Sequence, residues 1–151
     1  MNLKQKLQSD LLIAMKSKNK NTIKAIRNIK TEISNKEKSK NGKTLNDVDI
    51  ISLIKSYIKK RKENAILYKN NNRMDLHEEE INEVSILSVY LPTEMTVVEL
   101  TNKIKIIIEE MKATTMKDMG KVIGKSMKEY SQFSDGKTIS NIVKELLTNK
   151  N

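Results

Sequence analysis

Four lysines, Lys55, Lys59, Lys62 and Lys69, recur along one stretch of the chain at spacings of four, three and seven. On a helix those spacings bring the ammonium groups to one face. Such a row could meet nucleic-acid phosphates at helical intervals, with an affinity that falls steeply as salt rises. Lys60 and Arg61 thicken the row around KKRK. The plainer alternative is a solvated face in a lysine-rich chain. Arg61 stands apart from its neighbours, because it follows Ile54 by seven residues and precedes Tyr68 by seven, close to an apolar seam. A guanidinium there has to be paired, either structurally with Glu79, Glu80 or Glu83 or as a fork for a phosphate or carboxylate. Arg27 flanks Ile23 and Ile26 in the same manner, with the same two readings. Tyr57 and Tyr68 are the aromatics near the row and read as edges of a core, not as platforms for bases.

A second pattern is TMKDMGKVIG, Thr115 to Gly124. Gly120 and Gly124 stand four apart, on one helical face, which permits close backbone approach. Lys and Asp interrupt the segment, so a membrane helix pair is excluded. The GxxxxGK[ST] and GxGxxG spacings are absent. Two readings remain: close packing alone, or a binding surface where Lys121 and Lys125, with Lys117 upstream, reach a phosphate that the glycines let come near.

Acid–base and metal chemistry find little support. The chain has no cysteine, which excludes a disulfide scaffold, a thiol nucleophile and a thiolate zinc site, and one histidine, His77, with no nucleophile placed beside it. Glu78, Glu79 and Glu80 are contiguous and point around a helix instead of converging. His77 and these acids read as a solvated first helical turn. No catalytic residue, metal site or cofactor is expected.

The elements that must carry these residues are helices. One proline and four glycines in 151 residues leave few interruptions. Leu3, Leu7, Leu11 and Ala14 predict a helix over 3–17. Ile23, Ile26, Ile29 and Ile33 predict a second, capped by Asn21 or Thr22. Periodicity fades over 34–43, read as a turn or frayed end with Gly42 near its close. Thr44 with Asp47 would cap a long helix over 46–70, with Ile50, Ile54, Ile58 and Ala65 inward. Asp75 would cap the next helix, whose apolar positions include Leu76, Ile81, Val84, Leu87 and Val89. Beyond Pro92, Thr96 with Glu99 forms a good capping box. Thr114 or Thr115 would cap a helix through Met119, Val122, Ile123 and Met127. Asp135-Gly136-Lys137 reads as a turn before a terminal amphipathic helix. The expected fold is all-α: a four-helix unit over 1–92 and a smaller three-helix subdomain over 93–151.

Charge divides unevenly along that plan. The total of +10 comes from 29 basic and 19 acidic residues. Residues 1–73 hold 19 basic against 6 acidic residues, and 74–151 hold 10 against 13. All but three of the basic residues are lysine, a bias that an AT-rich genome would produce, but codon bias alone does not confine them to one half. No run of apolar residues is long enough to span a membrane, and the N-terminus lacks a signal peptide's apolar core, so a cytoplasmic protein is expected.

Several segments together resemble the YqeY family, which is related to the C-terminal tail domain of the B subunit of tRNA-dependent Asp/Glu-tRNA amidotransferases. They are AIRNIKTEI (25–33), IKKRKENAILY (58–68), ILSVYLP (86–92), TTMKDMGKVIG (114–124) and SDGKTISNIVKELL (134–147). The resemblance covers essentially the whole chain and implies two helical subdomains. It carries over Arg27, Lys59, Arg61, Tyr90 and Pro92, then Lys117, Asp118, Gly120, Lys121, Gly124, Asp135 and Gly136. Of these, the lysines and Arg61 are candidate RNA or partner contacts, whereas Pro92, Gly120, Gly124 and Gly136 shape the fold. The Asn-rich NNNR turn departs from the Gly-Arg found in relatives. In the amidotransferase the related tail reaches toward the tRNA, while amide transfer occurs elsewhere in the assembly.

The function expected from these readings is a non-catalytic tRNA- or RNA-binding accessory module, monomeric, with Arg27, Lys55, Lys59, Arg61, Lys62, Lys117, Lys121 and Lys125 as candidate contacts. One alternative is an adaptor that docks to an amidotransferase or translation factor through a groove around Met116, Met119, Ile123 and Met127. Another, carried by similarity, is carbon–nitrogen ligase activity with glutamine as amido-N-donor.

Overall fold

The computed structural model describes residues 1–149, which contain seven α-helices, one 3-10 turn and no strand. The fold is all-α. Helices α1 (Leu3–Lys16), α2 (Lys20–Ser39), α3 (Asp47–Asn70) and α4 (Met74–Ser88) belong to a compact unit, Met1–Leu91. Helices α5 (Val97–Met111), α6 (Met119–Tyr130) and α7 (Gly136–Thr148), with a 3-10 turn at Met116–Asp118, belong to a second unit that starts at Pro92.

Each unit is built on its own apolar seam. Leu7 and Leu11 of α1 meet Ile26, Ile29 and Ile33 of α2, Ile50, Ile54 and Ile58 of α3, and Leu87 of α4. These are the positions three and four apart that one helical face brings together. In the second unit Leu100, Ile104 and Ile107 of α5 pack with Val122 of α6 and Ile139, Val143 and Leu147 of α7.

Several helix ends differ from expectation, and one cause recurs. Lys18, Asn41, Asn72 and Lys112 all take positive φ without being glycine. The left-handed residue at Lys18 ends α1 early enough for Asn19, not Asn21 or Thr22, to cap α2 through the Thr22 N–H at 3.2 Å. The 34–43 segment stays helical to Ser39 and reverses only at Asn41 and Gly42. Asn46 takes the capping role expected of Thr44, accepting from the Asp49 N–H at 2.9 Å. Asp75 does not cap α4; Arg73 precedes that helix, and the two side chains pair at 3.2 Å. Because α4 stops at Ser88, Val89 is 72% exposed instead of inward. Asp135-Gly136-Lys137 is a helix start, not a turn: the Asp135 carboxylate accepts the Thr138 N–H at 2.7 Å. The Thr96–Glu99 capping box is formed as expected, and Thr115 caps the 3-10 turn.

Polar clips close the first unit. The Tyr90 hydroxyl donates to Asp10 Oδ2 of α1 at 2.6 Å, and burial with this bond pushes the phenol's pKa up. Near the start of α1, the Leu3 N–H donates to Asp47 Oδ1 at 2.9 Å. Lys4 Nζ donates to both Glu37 oxygens at 2.9 and 2.8 Å, and the Leu45 N–H donates to Glu37 Oε2 at 2.9 Å. One carboxylate thus ties α1, the end of α2 and the α2–α3 connection together. The Lys4 ammonium, then the Leu45 N–H, hold the Glu37 carboxyl below its ordinary value.

A carboxylate whose pKa is depressed on folding stabilises above its unfolded pKa, and that contribution is lost as pH falls through the folded value. Glu37→Gln is expected to lower the urea midpoint at pH 7 with little change in slope. The gap to the unaltered protein should narrow toward about pH 3, read by circular-dichroism urea titrations at both pH values.

Candidate nucleic-acid interface

Helix α3 carries Lys55, Lys59, Arg61 and Lys62, half of the eight candidate contacts, and its period sorts its polar residues to the two sides of one seam. Ile50, Ile54, Ile58 and Ala65 are buried. On one flank Lys55 is half-buried while Lys59, Lys62 and Lys69 are exposed. On the other lie Ser52, Ser56, Lys60 and Arg61. The KKRK run is therefore divided: residues two apart on a helix point about 200° from each other, so Lys60 and Lys62 cannot share a face. Lys60 and Arg61 do not thicken the lysine row; they belong to a different surface.

Arg61 is paired, and with one of the three acids considered for it. Its Nε lies 3.6 Å from Glu80 Oε2, and the two side chains are 21% and 14% exposed. The contact is an ion pair without a hydrogen bond, for neither Nε nor Oε2 has a hydrogen-bond partner. The guanidinium also stacks 4.8 Å from the centre of the Tyr57 ring. The Tyr57 hydroxyl donates to Glu83 Oε1 at 2.5 Å, and Asn28 Nδ2 of α2 donates to the same oxygen at 3.0 Å. Burial raises the Glu80 pKa, opposed by Arg61; burial, then the Glu83 bond, raises that of Tyr57. Arg27 is unlike Arg61: it is exposed and joins no ion pair among the described residues. Its stripe faces Ile26 and Ile29 inward and leaves position 27 in water.

His77 is more than part of a solvated turn. Its Nδ1 donates to the Ala65 carbonyl at 2.8 Å, a side-chain clip from α4 onto α3. Glu78 and Glu79 stay exposed, and no group of three or more metal-ligating side chains converges among the described residues.

Sequence patterning missed a groove between α2 and α3. It has a volume of about 600 Å³, with Lys36 and Lys40 on one wall, Ser52, Ser56 and Lys60 on the other, and Arg61 also lining it. Leu45, Leu53 and Tyr57 supply its apolar surface. The signal available was Ser52 and Ser56, short side chains four apart on the polar side of a helix otherwise rich in lysine.

In the second unit the two glycines do not serve close packing. A Cβ built on Gly120 or Gly124 would meet nothing within 4 Å, and both are exposed on α6. Lys117 and Lys121 are exposed beside them. Lys125 pairs with Glu110 at 3.7 Å. Asp118 is a cap: its carboxylate accepts the Thr114 and Thr115 N–H groups at 3.1 and 3.4 Å, which lower its pKa. Gly136 is the one fold-shaping glycine with a neighbour, since a Cβ there would come 3.1 Å from Met127 Cε. Pro92 lies half-buried between α4 and α5. Met119, Ile123 and Met127 pack against the core, so they line no open groove, although Met116 remains 39% exposed.

A family model described as Yqey-like protein matches residues 4–147. An uncharacterized protein of Schizosaccharomyces pombe is 32% identical over 91 residues, covering 60% of this chain and 73% of its own. A protein of Pyrenophora tritici-repentis named altered inheritance of mitochondria protein 41, mitochondrial, is 35% identical over 123 residues, covering 78% of this chain and 67% of its own.

Two substitutions check this geometry. Arg61→Ala leaves Glu80 without its counter-ion and is expected to cost about 1–3 kcal/mol, of which Arg61→Ala/Glu80→Gln recovers part, measured by a double-mutant cycle in urea. Gly124→Ala places a methyl in open space on a helix and is expected to stabilise by about 0.5–1 kcal/mol, read as a higher melting temperature.

Proposed function

The chain belongs to the YqeY-like protein family, and we propose that it works as a cytoplasmic, non-catalytic RNA-binding accessory module, with tRNA as the first candidate ligand. The observation that carries this reading is the exposed lysine row on α3, Lys59, Lys62 and Lys69, in the most basic part of the chain. Counted over the whole first unit, 19 basic residues face 11 acidic ones, because α4 brings five acids into it. Three of those five are engaged internally: Asp75 with Arg73, Glu80 with Arg61, and Glu83 with Tyr57 and Asn28. The water-facing charge of α1 to α3 therefore remains positive, which is what attraction to a polyanion requires. The relation of the YqeY family to the amidotransferase tail domain, which the sequence resemblance implies, points the same way. Lys117 and Lys121, beside the open glycine face of α6, offer a second contact region. The adaptor reading has less to rest on, since Met119, Ile123 and Met127 pack against the core and leave Met116 exposed without a groove beside it among the described residues.

Fluorescence anisotropy with labelled tRNA is expected to show saturable binding that weakens between about 50 and about 200 mM salt. Lys59→Glu/Lys62→Glu should weaken it and lower the salt slope by about 2. Absence of saturable binding at low salt, or equal affinity for heparin, would sink the reading.

A further inference from the structure

We propose that the α2–α3 groove of the first unit is a nucleotide site, taking a phosphate among Lys36, Lys40 and Lys60 and a base against Leu53 and Tyr57. It deepens the RNA-binding reading and rests on it only where the nucleotide is part of a strand; a free mononucleotide would present the same chemistry. The charge is the first reason. Lys36, Lys40, Lys60 and Arg61 line the groove against Glu32 and Asp49, a cationic surplus. Among the described residues none of the three lysines is in an ion pair. Lys36 lies in the last turn of α2, Lys40 is the residue that ends that helix, and Lys60 comes from the opposite wall. An anion in the groove would meet cations from both sides.

Size and lining supply the rest. A volume of about 600 Å³ exceeds what a bare phosphate needs and lies in the range of small-molecule sites. Ser52 and Ser56 keep the α3 wall short, and their hydroxyls have no protein partner among the described residues. They can therefore bond to a sugar or phosphate. Half-buried Leu53 and the part of Tyr57 that Arg61 does not cover give an apolar patch for a base. An acidic peptide would satisfy the lysines but leave this apolar surface and the serine wall without a role.

The test uses the full-length protein labelled with 15N and follows backbone amides during titration with adenosine 5′-monophosphate, with adenosine, and with a short single-stranded RNA. The monophosphate is expected to shift amides over 36–40 and 52–60 saturably, and adenosine to bind more weakly. Lys36→Glu/Lys60→Glu should weaken monophosphate binding about tenfold or more, and Ser56→Trp, at an exposed position, should block the groove. Lys59→Glu/Lys62→Glu, on the other flank, should leave it unchanged. If RNA shifts the same amides and the monophosphate displaces it, the source is a strand; if only the monophosphate does, the source is a free nucleotide. Groove amides unmoved by both ligands, monophosphate binding that survives Ser56→Trp, or a poly-glutamate peptide that shifts them while the monophosphate does not, would each overturn the proposal. RNA that binds through Lys59 and Lys62 with the groove silent would end the groove proposal and leave the RNA-binding reading intact. Monophosphate binding without RNA binding would do the reverse.

Discussion

Arg61 carries its charge where only about a fifth of the side chain reaches water, and a charge so placed is costly unless its surroundings compensate for it. The compensation recruits three helices. Tyr57, one turn earlier on α3, lays its ring against the guanidinium. Glu80 of α4 brings the opposite charge. The Tyr57 hydroxyl, itself withdrawn from water, then needs an acceptor and finds Glu83, whose same oxygen takes a second bond from Asn28 of α2. Glu80 and Glu83 are one turn apart, so a single register of α4 on α3 satisfies both, and His77 bonded to Ala65 fixes that register a second time. Part of the acidity of α4 thus follows from the fold: Glu80 and Glu83 answer a cation and a phenol on α3, while Glu78 and Glu79 stay exposed.

The apolar stripes of α2, α3, α5 and α7 were legible because a buried helix face has a period that few residues violate. Arg61 was legible because its interval from Ile54 placed a charge beside that stripe, and the choice among Glu79, Glu80 and Glu83 was narrowed by chemistry, though only packing could select Glu80. Helix ends were less legible. Four of the chain reversals use Lys18, Asn41, Asn72 and Lys112 in the left-handed region, where glycine is the usual marker. In a chain with many asparagines any of several can cap, and the one that does is set by where the preceding helix stops. Asn19 caps because α1 has already ended at Lys16.

The glycines show the converse. Gly120 and Gly124 are where the backbone is helical and a side chain would meet no obstacle, while Lys112 occupies a left-handed cap that a glycine would relax. Neither placement improves stability. For Lys112 the codon bias behind the lysine excess is a sufficient account. For the two glycines it is not, since they carry the helix penalty with no packing return inside their own unit. Both leave the surface of α6 low beside Lys121.

The distinction between ridge and groove on α3 turns on side-chain length more than on charge. Both flanks of its seam carry cations, so a lysine count cannot separate them. At 59, 62 and 69 exposed lysines form a row on the outer surface of the helix. At 52 and 56 serines keep that wall low, and the α2 lysines stand opposite with Lys60 beside it, so the cations surround a volume instead of capping a surface. Convex rows meet extended phosphate backbones, and concave ones select a single unit by its shape. Codon drift toward lysine acts on both flanks alike, but it does not put short hydroxyls at two positions one turn apart beside Lys59, Lys60 and Lys62. The least charged residues on the polar side of α3 are therefore the most informative about what its cations are for.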